Sequence, residues 1–368
     1  MRRTPALIVG GGPAGAVAAL LLARAGTPHL LIERSAETGD ALCGGFLSWR
    51  TLEALDRLGI RRDALNREEI RRLRLFAGAR RAEAWLPRPA LAVSRRRLDT
   101  LLLDHAITAG AAVERGVAAR ALEGDCVRLA DDSEITPDAL FLATGKHDLR
   151  GLARGAERSD DPTLGLRVRL GPSDALDRIV GDTIELHLFD RGYAGIARQE
   201  DGTVNLCMAV HRSRLSGAGS PDKLLDALAR ESPRLAERLA HRASAAAIDA
   251  VANVPYGWRV ADGTAGLFRL GDQAACIPSL AGEGMGIAIE SGARAATDYL
   301  RHGPAGAILY QQRLARDLTT PFAVANRIRA AAERPAWASA LTAAVRLAPQ
   351  LAGIAARLTR ISHKPLDA

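Results

Sequence analysis

The N-terminal segment of this chain runs from a short apolar strand directly into a glycine-rich turn. Residues 6–9 are apolar, the sequence Gly10-Gly11-Gly12-Pro13-Ala14-Gly15 follows, and residues 16–25 are predicted to be helical. This G-x-G-x-x-G order of strand, turn and helix is the dinucleotide-binding fingerprint. Its first glycine permits the tight turn, its second lets the backbone approach a pyrophosphate, and its third lets the helix pack on the strand. The sequence therefore predicts an α/β fold that binds an adenine dinucleotide.

A second apolar segment supports this interpretation. Leu30, Leu31 and Ile32 form a short predicted strand that ends at Glu33, and Arg34 follows it. An acidic residue about 20 positions after the glycine motif accepts hydrogen bonds from the ribose hydroxyls of the nucleotide. A glycine-rich turn in an ordinary α/β unit would not need this context, so the dinucleotide site is the favoured interpretation.

The bulk composition limits the classes of partner. The chain has 368 residues, of which 48% are hydrophobic, 25% are charged and 4% are aromatic, and its formal net charge is +8. The positive charge comes mainly from arginines spread over the whole chain, and so few aromatic residues offer no stacking platform for single-stranded nucleic acid. We expect a globular protein that does not bind nucleic acid. Attraction to an anionic lipid surface or to an acidic protein partner stays open.

The cysteines and the N-terminal residues indicate in which cellular compartment the protein resides. Cys43, Cys126, Cys207 and Cys276 lack C-x-x-C or metal-ligand spacing, which predicts a reduced protein without a metal site. The basic start followed by an apolar segment superficially resembles a secretion signal, but that segment is the first strand of the fingerprint. No apolar run reaches the roughly 18 residues of a membrane span. These observations predict a cytoplasmic location with at most peripheral membrane contact.

The periodicity of the chain changes after the first third. Segments 166–170, 184–189 and 203–210 alternate apolar and polar residues, and Asp201-Gly202 is a hairpin signal, as is typical of an antiparallel sheet. The strand-then-glycine pattern of the first domain returns afterwards. We therefore predict an α/β fold with an α+β insertion: a discontinuous Rossmann-like domain (1–65, 90–160 and 260–310), an antiparallel-sheet substrate domain (66–89 and 161–259) and a helical C-terminal segment (311–368).

The segment from Gly271 to Gly286 narrows the cofactor to FAD. A predicted strand delivers Asp272, whose carboxylate can accept hydrogen bonds from a polyhydroxylated chain, and a Pro/Gly loop then opens a helix after Gly284. The N–H groups and partial positive charge at that helix N-terminus stabilise the negative charge of a reduced flavin ring. NAD-dependent dehydrogenases have no need for this second element, whereas FAD extends across the fold.

Taken together, these motifs resemble the FAD-dependent superfamily that contains p-hydroxybenzoate hydroxylase and the geranylgeranyl reductases. The set includes Ser94-Arg95-x-x-Leu98-Asp99 and Gly271-Asp272…Pro278…Gly282-x-Gly284, and it covers roughly residues 1–300. The loop Cys43-Gly44-Gly45-x-x-Ser48 is particularly similar to the geranylgeranyl reductases. The resemblance implies an FAD-binding domain of the glutathione-reductase type.

The resemblance also implies roles for single residues. The acidic residue matching Glu33 holds the adenosine ribose, the arginine matching Arg95 contacts the diphosphate and ribityl region, and the aspartate matching Asp272 binds the ribityl chain or the pyrophosphate. The complete predicted cofactor-binding set is Gly10, Gly11, Gly12, Pro13, Ala14, Gly15, Glu33, Arg34, Cys43, Gly44, Arg95, Gly145, Asp272, Gly284, Met285 and Gly286.

Two positions depart from the hydroxylase pattern. Ala143-Thr144-Gly145-Lys146 stands where the hydroxylases carry an Asp-Gly motif shared by FAD and NADPH, and Ala275 stands where a histidine is frequent. A second dinucleotide fingerprint for NAD(P)H is absent from the sequence. NAD(P)H therefore stays a possible external electron donor, and the donor is not assigned.

Three residues are candidates for catalysis, and each has an alternative role. Cys43, placed beside the flavin by the resemblance, is a redox-active thiol or proton relay, or a small buried residue. Tyr193 donates a proton or orients a substrate oxygen, or is an amphipathic residue at a sheet edge. Glu283 is a base or a solvated loop carboxylate. His187 lies on the alternating sheet whose concave face we expect to cover flavin and substrate.

The predicted function is that of an FAD-dependent oxidoreductase acting on a small hydrophobic organic substrate. Two reactions fit: oxygen transfer from a flavin C4a-hydroperoxide, or hydride transfer from FADH2 to a carbon–carbon double bond. Two other functions stay open, oxidative modification of a partner protein and a flavin-binding interaction role without catalysis. The apolar and basic C-terminal helices, residues 327–360, either contact a membrane, close the substrate cavity or pack in the core.

Overall fold

Two β-sheets organise the chain in this computed structural model, which describes residues 2–155, 159–243 and 246–362. The strands are β1 (Arg2–Val9), β2 (Leu30–Glu33), β3 (Phe46–Leu47), β4 (Glu69–Ala77), β5 (Arg80–Ala92), β6 (Ala112–Arg115), β7 (Ala119–Glu123), β8 (Cys126–Leu129), β9 (Glu134–Leu142), β10 (Thr163–Leu170), β11 (Thr183–Phe189), β12 (Gly192–Arg198), β13 (Val204–His211), β14 (Asp249–Val251) and β15 (Leu267–Arg269). The helices are α1 (Pro13–Arg24), α2 (Trp49–Arg57), α3 (Arg62–Leu65), α4 (Arg95–Thr108), α5 (Asp174–Val180), α6 (Arg212–Ala218), α7 (Pro221–Glu231), α8 (Pro233–Leu239), α9 (Gly284–His302), α10 (Gly306–Asp317), α11 (Thr319–Ala332), α12 (Pro335–Leu347) and α13 (Gln350–Leu358).

The first sheet is built around the apolar strand β1. Its path is β6-β2-β1-β9-β8-β7, with β15 paired to β9, and β1, β2, β6, β9 and β15 run parallel. Helices α1, α4 and α9 cover it, and their alanines and leucines form one core with the sheet. The parallel arrangement brings the turns that begin at Gly10, Ala143 and Leu270 to one edge, where ligands of such sheets bind.

The second sheet has the order β14-β10-β13-β12-β11-β4-β5-β3 and is antiparallel except for the pair β11 and β4. Helices α7 and α8 pack on one part of it, and α12 and α13 pack on β5. The predicted fold class, with its antiparallel sheet and helical C-terminus, is confirmed. The domain boundaries stay a prediction: β3 and the end of β5 join the second sheet although we expected residues 46–47 and 90–92 in the first domain. Residues 363–368 of the predicted C-terminal segment lie outside the described residues.

A buried ion cluster ties the second sheet to α8. Glu185 is fully buried and accepts hydrogen bonds from Arg74 Nη1 at 2.6 Å and from Arg238 at 2.8 and 2.9 Å. His187 lies on the second sheet as predicted, but its side chain faces this cluster, 3.2 Å from Glu185, and stacks on Phe76. Burial alone raises the pKa of Glu185, but the hydrogen bonds from His187 and Arg238 hold it at about 2, below its ordinary 4.5.

Replacing Glu185 with glutamine should destabilise the protein by about 1–3 kcal/mol, because two buried guanidinium groups lose the carboxylate they share, while Arg74 keeps its ion pair with Glu83 and Arg238 keeps its ion pair with Glu237. Urea unfolding near neutral pH measures this free energy. Since the folded-state pKa of Glu185 lies below the unfolded value of 4.5, its contribution is complete above that pH and disappears as the pH falls towards 2. The deficit of the variant should therefore shrink in acid.

The matched control is Asp63→Asn, which removes an exposed carboxylate paired with Arg61. Exposed ion pairs contribute little to stability because water screens them, so this variant should unfold almost as the parent does. Equal losses of unfolding free energy in the two variants would show that the buried cluster stabilises the fold no more than an exposed ion pair does.

Candidate active site

The glycine turn after β1 contains glycines of two kinds. Gly10 has a φ of +111°, and a Cβ there would lie 2.4 Å from the carbonyl oxygen of Ala143. A Cβ on Gly15 would lie 1.9 Å from the carbonyl oxygen of Gly10, so the fold itself requires both. Among the described residues, a Cβ on Gly12 would approach nothing closer than the flexible end of Arg95, at 3.3 Å. The protein alone therefore does not demand glycine at position 12.

Glu33 is held beside this turn. The Gly11 N–H donates to Glu33 Oε2 at 2.7 Å, and the Ser35 N–H donates to its other oxygen at 2.9 Å. Arg34, next in the chain, lies 3.0 Å from His147 Nε2. The carboxylate is thus fixed at the end of β2, as a ribose-binding residue must be, although neither Glu33 nor Arg34 is among the described residues that line the cavity below.

Two cations lie close to the glycine turn. Arg95, at the start of α4, forms two hydrogen bonds to Asp99 at 2.8 and 2.7 Å. Burial lowers the pKa of Arg95, but the Asp99 carboxylate outweighs this and raises it overall. Lys146 Nζ lies 3.4 Å from Asp272 Oδ2, and that carboxylate raises the pKa of Lys146. Both side chains line the cavity as cations, which suits an anionic diphosphate.

Lys146 does not belong to the predicted cofactor-binding set. Its position after Gly145, at the end of a strand near the pyrophosphate, nevertheless predicts surface capping and phosphate contact for the segment Lys146-His147-Asp148 rather than acid–base chemistry. The place of Lys146 in the cavity lining is compatible with the phosphate contact.

A second helix N-terminus faces the same cavity. Helix α9 begins at Gly284, which lines the cavity with Met285, and among the described residues no side chain caps this end. Cys43 and Gly44 line the cavity as well. Gly286 does not belong to the described lining. A Cβ at this position would point away from the cavity, and it would lie 2.8 Å from both the Glu283 carboxylate and the Thr51 hydroxyl.

These features together fit FAD. Helix α1 begins at Pro13 without a side-chain cap among the described residues, so α1 and α9 present two open N-termini to one cavity. Arg95 and Lys146 would hold the diphosphate near α1, Asp272 would bind the ribityl hydroxyls, and the N-terminus of α9 would face the flavin ring.

Beyond the flavin end, the cavity continues into an apolar chamber, and the whole cavity has a volume of about 390 Å³. Strands β4 and β11 contribute one wall, with Leu73, Leu75, Ile184, Leu186 and Leu188. Helices α12 and α13 also line the chamber, with Leu341, Val345, Leu351, Ala352, Ala355 and Ala356. Val345 and Ala352 pack in one hydrophobic cluster with Leu75, so the C-terminal helices both line the cavity and belong to the core.

A cluster of hydroxyl groups lies in this chamber. Tyr193 Oη is 2.7 Å from Ser279 Oγ and accepts a hydrogen bond from the Leu280 N–H at 3.0 Å, while Tyr256 Oη donates to Ser279 at 2.8 Å. Burial raises the pKa of Tyr193 to about 12 and that of Tyr256 well above 10. Tyr193 lies in β12, between β11 and β13, so the alternative of a sheet-edge residue was wrong.

Glu283 is fully buried, so the alternative of a solvated loop carboxylate was also wrong. Its Oε1 accepts the Ile361 N–H at 3.2 Å, and its Oε2 accepts Ser48 Oγ at 3.2 Å and lies 3.1 Å from Arg360 Nη1. Arg360 also donates to the Ala281 carbonyl at 2.6 Å. Glu283 therefore ties the end of α13 to the loop before α9, and its role as a base stays a prediction.

Cys43 lies in the wall of the cavity. Its carbonyl accepts a hydrogen bond from Asn205 Nδ2 at 2.9 Å, which fixes the loop against β13, and its thiol accepts the Gly45 N–H at 3.5 Å. Cys207, on β13, also lines the cavity. The geometry leaves both a proton-relay role and a packing role for the Cys43 thiol.

Comparisons with known proteins agree with this site. Residues 3–150 match the family described as FAD binding domain. The menaquinone reductase of Mycobacterium tuberculosis is 28% identical over 309 residues, which are 79% of this chain and 75% of that protein. Digeranylgeranylglycerophospholipid reductase 1 of Methanopyrus kandleri is 30% identical over 246 residues, 60% of this chain and 61% of the other.

Solved structures show the same fold. The geranylgeranyl bacteriochlorophyll reductase-like protein of Thermoplasma acidophilum aligns with a TM-score of 0.74 at 21% identity, covering 100% of this chain and 95% of that one. PqsL, a probable FAD-dependent monooxygenase of Pseudomonas aeruginosa, aligns with a TM-score of 0.71 at 16% identity, covering 92% and 99%. The predicted FAD cofactor, the fold class and the oxidoreductase class are confirmed.

Proposed function

We propose that this FAD-dependent oxidoreductase reduces carbon–carbon double bonds in a polyisoprenyl lipid. The observation that carries this proposal is the apolar chamber, which is continuous with the flavin site and includes a cluster of hydroxyls. A branched hydrocarbon chain fills a chamber lined by leucine, isoleucine and alanine side chains without burying unpaired polar groups.

The relatives support the same chemistry. Both sequence relatives described above carry the name reductase, and each name includes a substrate with a long isoprenoid part. The loop Cys43-Gly44-Gly45 points the same way, because it resembles the geranylgeranyl reductases more than the hydroxylases. A protein-bound substrate needs a broad groove at the surface, whereas a small hydrophobic substrate needs a covered chamber. The helices α12 and α13 line this chamber, which favours the small substrate.

In this function the chain's own residues supply binding, water exclusion and a proton. When bound and reduced, FAD supplies a hydride to one carbon of the double bond. Tyr193, neutral because burial raises its pKa to about 12, gives its phenolic proton to the other carbon. Its phenolate regains a proton from the Ser279 hydroxyl, which takes one from Tyr256, and the half-buried Tyr256 takes one from solvent. The Arg329 guanidinium lies 4.9 Å from the Tyr256 ring, and its charge favours the transient phenolate.

The test is an anaerobic single turnover. The enzyme is reduced with one equivalent of dithionite, so that the result does not depend on the natural electron donor, and is mixed with a digeranylgeranyl glycerolipid, which has no quinone ring to take the electrons. We expect reoxidation of the flavin together with the gain of two hydrogens per reduced double bond, read by mass spectrometry. The saturated phytanyl lipid is the control and should leave the flavin reduced.

The monooxygenase alternative gives a different outcome. If the flavin stays reduced with every isoprenoid tried, but the enzyme inserts oxygen into the lipid when NADPH and O2 are supplied, then the reductase proposal is wrong.

A further inference from the structure

Helix α13 is apolar on two opposite sides. Its inner side, formed by Ala352, Ala355, Ala356 and Thr359, lines the cavity. Its outer side carries Leu351, Ile354 and Leu358, which are 44%, 47% and 46% exposed. A helix that only closed a cavity would present polar residues to water on its outer side. The outer side of α13 therefore has the character of a contact surface.

The exposed apolar surface continues onto the neighbouring elements. Leu347, at the end of α12, is 81% exposed, and Trp337, near the start of the same helix, is 62% exposed. Both lie on one side of α12, since positions 337, 340, 344 and 347 follow helical spacing. We call the five residues Trp337, Leu347, Leu351, Ile354 and Leu358 the apolar tip.

The C-terminal segment that carries the apolar tip has charges of one sign. Residues 334–362 contain no Asp or Glu, whereas Arg334, Arg346 and Arg357 are exposed there. Within the described part of the chain, none of these three arginines has an ion-pair partner within 4.0 Å. Exposed leucines and a tryptophan on the same segment as unpaired arginines complement the surface of an anionic bilayer, where apolar groups enter the acyl boundary and cations meet the phosphates.

The tip is also continuous with the cavity. Leu351 lines the cavity and is 44% exposed, so one residue belongs both to the chamber wall and to the outer surface. A lipid tail leaving a bilayer at this point would pass from one apolar environment into another. In the described residues no helix is long and apolar enough to cross a membrane, so the contact would be with the surface of the bilayer.

We propose that the apolar tip docks this protein on an anionic lipid bilayer and takes the isoprenoid substrate directly from it. A second copy of the chain would be a poorer occupant, because a two-fold interface places each patch against itself and brings like-charged arginines together. The docking itself does not depend on the proposed reaction, whereas the transfer of substrate rests on it.

Sedimentation with vesicles tests the docking without catalysis. The vesicles consist of saturated-chain phosphatidylcholine alone or of roughly 7:3 phosphatidylcholine and phosphatidylglycerol. We expect binding to the mixed vesicles, about tenfold or more weaker for the triple variant Leu347→Gln/Ile354→Gln/Leu358→Gln, and clearly weakened by about 0.5 M salt. These three residues are not among the described residues that line the cavity.

The matched control is Ile107→Gln/Leu300→Gln/Ile308→Gln, which removes three apolar side chains with exposures of 46%, 44% and 40% on α4, α9 and α10. It should bind the vesicles as the parent does. Equal weakening by both triple variants, or no binding to anionic vesicles by the parent, overturns the proposal. So does a parent dimer, measured by light scattering, that the α12–α13 variant converts to monomers, because a second copy would then cover the tip.

Activity separates this proposal from the function above. If the enzyme reduces isoprenoid lipids, the α12–α13 variant should keep turnover of detergent-dispersed substrate and lose turnover of substrate presented in vesicles. Vesicle binding without any reductase activity would contradict the proposed function but would still support the docking on the bilayer. Equal turnover of both substrate forms by the variant would overturn the direct uptake from the bilayer.

Discussion

Replacing Gly12 with valine is expected to abolish the retention of FAD while the protein still folds. The described residues leave room for a Cβ at this position, with Arg95 at 3.3 Å as the nearest neighbour. The same space is where the backbone of the turn would approach the diphosphate, so the added methyl groups would hold the ligand off the N-terminus of α1. We expect FAD affinity to fall by about 100-fold or more, a loss of ~2.7 kcal/mol in binding free energy.

The measurements are the visible flavin absorption of the purified protein, titration of the apoprotein with FAD, and the melting temperature without FAD. Gly39→Val is the matched control, because Gly39 is exposed, lies outside the described cavity lining and would likewise accept a Cβ. The control should remain yellow. Unchanged FAD affinity in Gly12→Val would place the diphosphate elsewhere. A lower melting temperature of the Gly12→Val apoprotein would instead show that glycine is needed by the fold, as we expect for Gly15.

The first sheet and its glycine turn could be predicted because their signals are local. A strand of apolar residues, three glycines at fixed spacing and Glu33 after the next strand each require only short stretches of sequence, and parallel pairing then brings them to one edge. Asp272 and Gly284 belong to a similarly local pattern, and the structure includes both in the lining of the cavity that also contains Gly12. Their role in binding FAD stays a prediction.

The rest of the site depends on contacts between distant parts of the chain. Glu283 looked like an exposed loop residue because nothing near it in sequence shows that Arg360 and Ile361 will cover it. In the sequence, the alanines of α13 are typical of any helix. In the structure they line the chamber together with residues of β4 and β11. His187 shows a second limit. Alternation separates the residues on the two sides of a strand, but it does not say which side faces the flavin.

Replacing Tyr193 with phenylalanine should lower the rate of double-bond reduction by about 10²–10⁴-fold, the usual weight of a positioned proton donor. The chemical reduction of the flavin and the affinity for FAD should not change, because Tyr193 lies in the substrate chamber. The parent's rate should also show no loss from deprotonation of this donor until the pH approaches about 12, since burial raises the pKa of Tyr193 to that value. Stopped-flow reoxidation by the lipid, followed as a function of pH, measures both effects.

Two further variants separate proton donation from packing. Tyr256→Phe removes the far end of the hydroxyl chain, 2.8 Å from Ser279, and should slow the reaction less than Tyr193→Phe, because Ser279 can still return a proton. Cys43→Ser keeps the size of the other candidate donor and should be nearly neutral if the proton comes from Tyr193. A large loss in Cys43→Ser with a normal rate in Tyr193→Phe would move the proton donor to the flavin loop. Reoxidation alone does not report where the proton comes from. In deuterated water both hydrogens delivered to the double bond come from exchangeable positions, so the product should gain two deuteriums in either case, and only the variant rates decide between the two residues.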